Sequence, residues 1–322
     1  MCTKAGTCET SESEAPDAST ESPDASIDAC VPSIEICDDG IDQDCDGTDT
    51  TCAQNDIAAM PVDITNGGTF NADFTSASDD FPQRGCNNVG GRELFYKVTI
   101  NAAEVYYFDT FGSDFDTSIR VFAGRTCDSL NATTNPTTCE DDACGGDQSQ
   151  LAVSLPSGTS CIVVDQAASA TDNQLTLHVT RSRRTGTRLG DGPQTLTGDT
   201  CTSTSSWNTN IPCNEANNGA KDVAWYFTSC PGVNRKLDAS TCVDVSMVHF
   251  DTILYVHKTG TSADLVCRDD SMGCAPRPDR PDQADGTILT NVDTTGPGLF
   301  WLILDAWGSD QCGGYRLDTN LD

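Results

Sequence analysis

Basic residues, histidines and long apolar runs are all scarce in this chain. Its 322 residues hold 18 Lys and Arg against 49 Asp and Glu, a formal net charge of −31. Nucleic acid and anionic membrane surfaces need a positive face, so neither is an expected partner; divalent cations are the natural counterions. Only three histidines occur, and repeated Cys-x-x-Cys pairs are missing, which excludes a cytosolic zinc protein. No apolar run approaches the roughly 18–20 residues of a membrane span, the longest being strand-sized, as in Leu299–Leu304. Apolar residues are nowhere repeated at i, i+3, i+4 over ten or more positions, so helices should be few.

Catalytic signatures are missing as well. The sequence has no Gly-x-Ser-x-Gly elbow, His-Glu-x-x-His pair, P-loop or dinucleotide glycine fingerprint. His178 and His257 fall in alternating strand patterns and His249 precedes Phe-Asp-Thr, positions that fit surface or sheet-packing roles. The expectation is a protein that is not an enzyme. A divergent glycosidase stays open as an alternative, because the separation of paired carboxylates is not readable from sequence.

Cysteine, by contrast, is abundant, with 18 in the chain. At that density disulfides and an oxidising compartment are expected, hence a secreted or cell-surface location. A disulfide-rich chain must be exported and no export segment precedes Met1, so a processed or truncated form is expected. Cys2 stands where a lipid-modified cysteine of an outer-membrane lipoprotein would stand after cleavage; a Cys2–Cys8 disulfide is the simpler alternative.

Composition divides the chain. Residues 1–29 form an acidic tether, its 9–29 stretch holding Ile27 as its single large aliphatic residue, too little to offset ordering entropy. Residues 30–56 form a disulfide-rich acidic module. The rest is a duplication, 57–181 and 189–322, joined by a basic linker at 182–188. Gly91–Val98 matches Lys221–Thr228, Phe115-Asp-Thr117 matches Phe250-Asp-Thr252, Cys139–Asp142 matches Cys267–Asp270, and Cys161–Asp165 matches Trp301–Asp305. Short alternating apolar runs separated by Gly, Asp and Asn predict an all-β chain of two tandem antiparallel, jelly-roll-like β-sandwiches with few helices.

The run Cys37, Asp39, Gly40, Ile41, Asp42, Asp44, Cys45, Asp46, Gly47 resembles the metal-binding motif repeated in secreted proteins of myxobacteria. Each long repeat resembles the bacterial pre-peptidase C-terminal domain, through the aromatic strand, the Phe-Asp-Thr turn and the paired aspartates after a cysteine. That resemblance implies β-sandwiches appended to secreted hydrolases, and so an accessory part of such a hydrolase as a second functional reading.

Asp42, Asp44 and Asp46 followed by Gly47 have the stagger of a calcium loop, with Asp39 or Asp49 available to complete the shell; a solvated acidic turn is the alternative. Acids kept in both copies give two further candidate cation sites, Asp116, Asp141, Asp142 and Asp165, and Asp251, Asp269, Asp270 and Asp305, for which turn capping is the simpler account. Repeat positions favour Cys86–Cys144 and Cys213–Cys274 disulfides, with Cys127–Cys139 and Cys230–Cys242 as copy-specific staples. Trp225 and Trp301 should be core. Trp207 and Trp307 sit in loop contexts where an aromatic could stack on a sugar or protein ligand, or pack against a sandwich end. The expected function is a noncatalytic, calcium-stabilised exported protein that binds protein or glycan or acts as a spacer.

Overall fold

A computed structural model describes residues 41–42, 45, 47–48, 55–79, 81, 85–86, 91–166, 172–207, 219–242, 248, 250–276 and 285–322. The chain forms two compact units, residues 1–50 and 51–322, and both sandwiches belong to the second.

Among the described residues, alternating apolar residues build eighteen strands. The first copy contributes β1 (Val62–Asp63), β2 (Gly68–Asp73), β3 (Glu93–Ile100), β4 (Glu104–Asp109), β5 (Thr117–Phe122), β6 (Thr138–Asp141), β7 (Gln150–Leu155), β8 (Gly158–Gln166) and β9 (Gln174–Arg181). The second contributes β10 (Thr187–Arg188), β11 (Gly192–Asp199), β12 (Val223–Ser229), β13 (Lys236–Ser240), β14 (Thr252–Lys258), β15 (Asp264–Asp269), β16 (Ile288–Asp293), β17 (Gly298–Ala306) and β18 (Gly314–Leu321). Helical structure among the described residues is confined to three short 3-10 turns.

The sheets run β1-β3-β8-β5-β6 and β2-β9-β4-β7 in the first copy, and β10-β12-β17-β14-β15 and β11-β18-β13-β16 in the second. Adding nine to each strand of the first copy reproduces the second, so the duplication extends to topology. Apart from the parallel β1/β3 and β10/β12 pairs, strands pair antiparallel, and each copy is a two-sheet jelly roll. The expected linker is partly absorbed into the fold, since Thr187 and Arg188 form β10 beside Trp225 and Tyr226.

Period-2 alternation sorts side chains into layers. Leu94, Tyr96, Val98, Ile119, Val121, Ile162 and Val164 point into the first sandwich with Phe108, Leu155 and Leu177 of the facing sheet. Trp225, Phe227, Leu254, Val256, Phe300, Leu302 and Leu304 do the same in the second. A third apolar layer joins the copies: Val105 and Tyr107 of β4 meet Tyr226, Tyr255, Leu299, Trp301 and Ile303. Trp301, expected in a core, is therefore fully buried between the two jelly rolls rather than inside one.

Register corrects the repeat alignment by one residue in its first strand. Leu94 pairs with Val164 and Val223 with Leu304, while Val164 and Leu304 face Ile119 and Leu254. Leu94 thus corresponds to Val223, and Glu93 to Asp222. The slip matters because one residue moves every side chain to the other face.

The disulfides also depart from the repeat-based pairing. Cys86 bonds Cys139 rather than Cys144, Cys127 bonds Cys161 rather than Cys139, and Cys274 bonds Cys242 rather than Cys213. Cys230, expected to bond Cys242, instead joins Cys144 across the two copies. The reason is local: a left-handed turn at Asp142 and Cys144 carries Cys144 away from β6, while Cys139 stays on that edge strand and meets Cys86. Cys201–Cys312 closes the second copy.

Candidate metal centres

Each Phe-Asp-Thr run divides its work among three residues. Phe115 and Phe250 are buried in the sandwich cores. The threonines lock the start of β5 and β14: Thr117 Oγ1 lies 2.6 Å from Thr110 Oγ1, and Thr252 Oγ1 lies 2.8 Å from Thr241 Oγ1. The Ser149 amide donates to Thr110 Oγ1 at 2.9 Å, and the Thr287 amide to Thr241 Oγ1 at 2.8 Å, so the lock is the same in both copies. It holds the intervening aspartate, Asp116 or Asp251, at the mouth of the sandwich.

The partner strand brings the other acids. Asp141 pairs with Ser118 across β5/β6, and Asp269 with Ile253 across β14/β15. The next residue, Asp142 or Asp270, takes a left-handed backbone with φ of 53° or 46°, which Asp tolerates better than most residues. The outcome is two clusters, Asp116, Asp141 and Asp142, and Asp251, Asp269 and Asp270, each with one carboxylate oxygen per residue within 4.8 Å of the others.

Electrostatics separates these acids from ordinary turn caps. Asp73 and Asp293 accept backbone N–H groups two residues on, at 2.8 and 3.0 Å, and the Thr75 and Thr295 hydroxyls help to hold their carboxyls below the usual range. Asp116 is pushed up to about 6 by burial and by Asp141, Asp142 and Asp147. Asp269 is pushed up to about 6 by burial, Asp270 and Asp285. One oxygen of each, Oδ1, is buried and accepts no hydrogen bond among the described residues. Crowded, desolvated carboxylates of this kind are stabilised either by protons or by a cation.

Two expected members lie elsewhere. Asp165 is fully buried on the outer side of β8, where it accepts the Arg120 guanidinium through both oxygens, so its charge is already matched. Asp305 is buried on β17 and accepts the Ala306 amide at 2.8 Å. Asp147 and Asp285, which sequence comparison passed over, lie nearby instead, raising Asp116 and Asp269 through their charge, and each supports the lock: the Asp147 carbonyl accepts the Thr117 amide, as the Asp285 carbonyl accepts that of Thr252. The signal was Asp-x-Ser/Thr, as Asp147-Gln-Ser149 and Asp285-Gly-Thr287.

In the first unit Asp42 accepts the Gly47 amide at 2.8 Å. Asp39, Asp44, Asp46 and Asp49 lie outside the described residues. Trp207 is 6% exposed and packs against Trp301, His257 and the Arg184 guanidinium, so the chain itself occupies the ring that was expected to stack on a ligand; Trp307 stays 38% exposed. His178 and His257 each place Nδ1 against a carboxylate, Asp109 at 2.8 Å and Asp264 at 2.9 Å. Neither ring hydrogen-bonds a Ser, Thr or Cys side chain among the described residues, the contact a nucleophilic dyad needs.

No known protein family and no curated protein matches the chain. Among solved structures it is similar to a protein of Sulfolobus turreted icosahedral virus, at 9% identity over 71% of this chain and 56% of that one, with a TM-score of 0.21. It is also similar to the CUB1-EGF-CUB2 domains of rat MASP-1, at 9% identity over 81% and 99%, with a TM-score of 0.18. A triple jelly roll protein of an archaeal virus turret gives 9%, 80%, 59% and 0.23. The chain spans little more than half of the first of these, and overlaps this slight carry nothing about binding or assembly. No helix among the described residues is long and apolar enough to cross a membrane, and the disulfides fit an oxidising compartment.

Proposed function

We propose that this is a noncatalytic exported protein whose tandem jelly rolls are stabilised by calcium and serve as a binding or spacer module at the cell surface or in the medium. The observation that supports it is the recurrence of one carboxylate cluster, built from equivalent strand positions in both copies. Calcium takes 6–8 oxygen ligands at about 2.3–2.6 Å, so ligands on opposite sides of the ion stand roughly 5 Å apart, the spacing each cluster offers. Asp116, Asp141 and Asp142 would hold one ion, and Asp251, Asp269 and Asp270 the other, with Asp147 and Asp285 adding charge nearby. The acidic loop around Asp42 is a third site in this reading. An accessory, pre-peptidase C-terminal-like part of a secreted hydrolase is the alternative reading.

Calorimetric titration of the metal-free chain with calcium tests it, using magnesium as the control. Binding at millimolar calcium or below, weakened by Asp116→Asn and by Asp251→Asn, supports the reading. No heat and no shift in melting temperature at millimolar calcium overturns it.

A further inference from the structure

The four-arginine run between the copies uses its charges unequally. Arg181 donates to both oxygens of Glu104, at 2.7 and 2.6 Å, and is neutralised. Arg184 is not. Its backbone is fixed, the amide donating to Ser182 Oγ at 3.1 Å and the carbonyl accepting the Val105 amide at 2.8 Å. Its guanidinium lies over the Trp207 ring, 4.8 Å from the centroid, and makes no ion pair or hydrogen bond among the described residues. Asp222 feels this charge through space, but its oxygens already accept the Ser206 amide and hydroxyl and the Trp207 amide. In a chain with 49 acids and 18 bases, an unmatched arginine is a placement that needs a reason.

Arg184 and Trp207 line a cleft of about 330 Å³, together with His257, Thr259, Thr261 and Asp264. Trp207 is more than nine-tenths buried, and its Nε1–H has no acceptor among the described residues. The Thr259 oxygen accepts Trp301 Nε1 at 2.9 Å, which leaves its own O–H to donate. Asp264 holds His257 by Nδ1 and so orients the ring at the cleft wall. The volume sits at the lower end of small-molecule sites, about 300–1,000 Å³.

We infer that this cleft is an oxyanion site, in which Arg184, held over the Trp207 ring, receives a carboxylate, sulfate or phosphate group of a small ligand and the Thr259 hydroxyl receives a neighbouring oxygen. A guanidinium fork matches such groups in plane and charge. Stacking on Trp207 preorganises the fork, so less side-chain entropy is lost when the anion arrives. The site stands apart from the two aspartate clusters, none of whose residues line this cleft.

The test is titration of the full chain with sodium glucuronate, sulfate and phosphate at constant ionic strength, because the net charge repels anions when salt is low. Calorimetry and tryptophan fluorescence give the readout. Wild type should bind at millimolar concentration or tighter. Arg184→Gln should weaken binding at least tenfold, and Trp207→Phe, which keeps a ring under the guanidinium, should weaken it a few fold. Arg184→Lys serves as a second variant with the charge retained, should Arg184→Gln fail to fold; it should bind more weakly than wild type because the fork is lost. Glucuronate bound tighter than the inorganic ions identifies an organic acid as the ligand; equal binding identifies the inorganic oxyanion. No binding by wild type at ten millimolar, or binding unchanged in the Arg184 variants, overturns the inference.

Discussion

The two copies share a fold and differ in what covers the outer face of the five-stranded sheet. In the first copy Arg120 and Asp165 stand side by side on that face, and Phe81, Phe95, Phe122 and the Cys127–Cys161 disulfide close over them from the same copy. In the second, Tyr255 holds the place of Arg120 and Trp301 that of Cys161, and the cover is β4 of the first copy with Val105 and Tyr107. Even the lids are hung alike: Glu93 accepts the Phe81 amide at 2.5 Å, and its counterpart Asp222 accepts that of Trp207 at 2.8 Å. A charged pair needs a local lid to exclude water and complete its hydrogen bonds. Aromatic residues in the same register make the face adhesive to a neighbouring domain.

Substitution at that one position should break the symmetry most. Arg120→Met leaves Asp165 fully buried without its cation, a change that costs about 3–5 kcal/mol where a buried pair is broken. At the equivalent position Tyr255→Phe removes a buried hydroxyl that has no partner among the described residues, so stability should hold or rise slightly. Urea denaturation of the two variants measures the contrast. A loss below about 1 kcal/mol for Arg120→Met would mean that the first copy's face tolerates an unpaired carboxylate and that the comparison fails.

The next effect concerns the bond between the copies. Cys144–Cys230 closes 86 residues of sequence separation, and replacing both cysteines by serine should cost about 2–4 kcal/mol. Because the aromatic layer around Trp301 also joins the copies, the variant should still unfold in one transition. Two separated transitions in calorimetry would assign the coupling to the disulfide alone.

Sequence made some of this legible and hid the rest for identifiable reasons. Alternation revealed the strands, and the repeated Phe-Asp-Thr and paired-Asp runs led to six aspartates that converge in space. Asp165 misled because an acid at matching positions in two copies was read as one function, whereas only the first copy supplies Arg120 beside it. Asp147 and Asp285 escaped because they touch the lock through backbone carbonyls, which any residue type provides. The one-residue slip in the aromatic strand arose because aromatic identity was aligned instead of burial parity: Tyr96 corresponds to Trp225, not to Tyr226. The disulfides were unreadable because spacing says nothing of the left-handed turn that redirects Cys144.

The smallest expected effect per group, and the one that sharpens the comparison of sites rather than faces, is the competition between protons and calcium. Asp116 and Asp269 each titrate near 6 in the folded protein, raised first by burial and then by neighbouring carboxylates. The unfolded value of an aspartate is about 3.9. The native state therefore binds more protons than the unfolded chain between these values. Without metal, the stability these groups contribute is fully present below about pH 4 and is lost as pH rises through about 6. Calcium should reverse that trend by taking the place of the protons. At a hundredfold excess over Kd each site would add about 2.7 kcal/mol at neutral pH, fading as pH falls below 6. Melting curves at pH 4.5 and 7, with calcium and with a chelator, give the four corners of this cycle. The calcium-induced rise should be large at pH 7 and small at pH 4.5. For the melting of the sandwich unit, Asp116→Asn should halve it if the two sandwiches bind equally, and Asp251→Asn should remove the other half. A calcium effect of the same size at both pH values would place the bound ion away from these six aspartates.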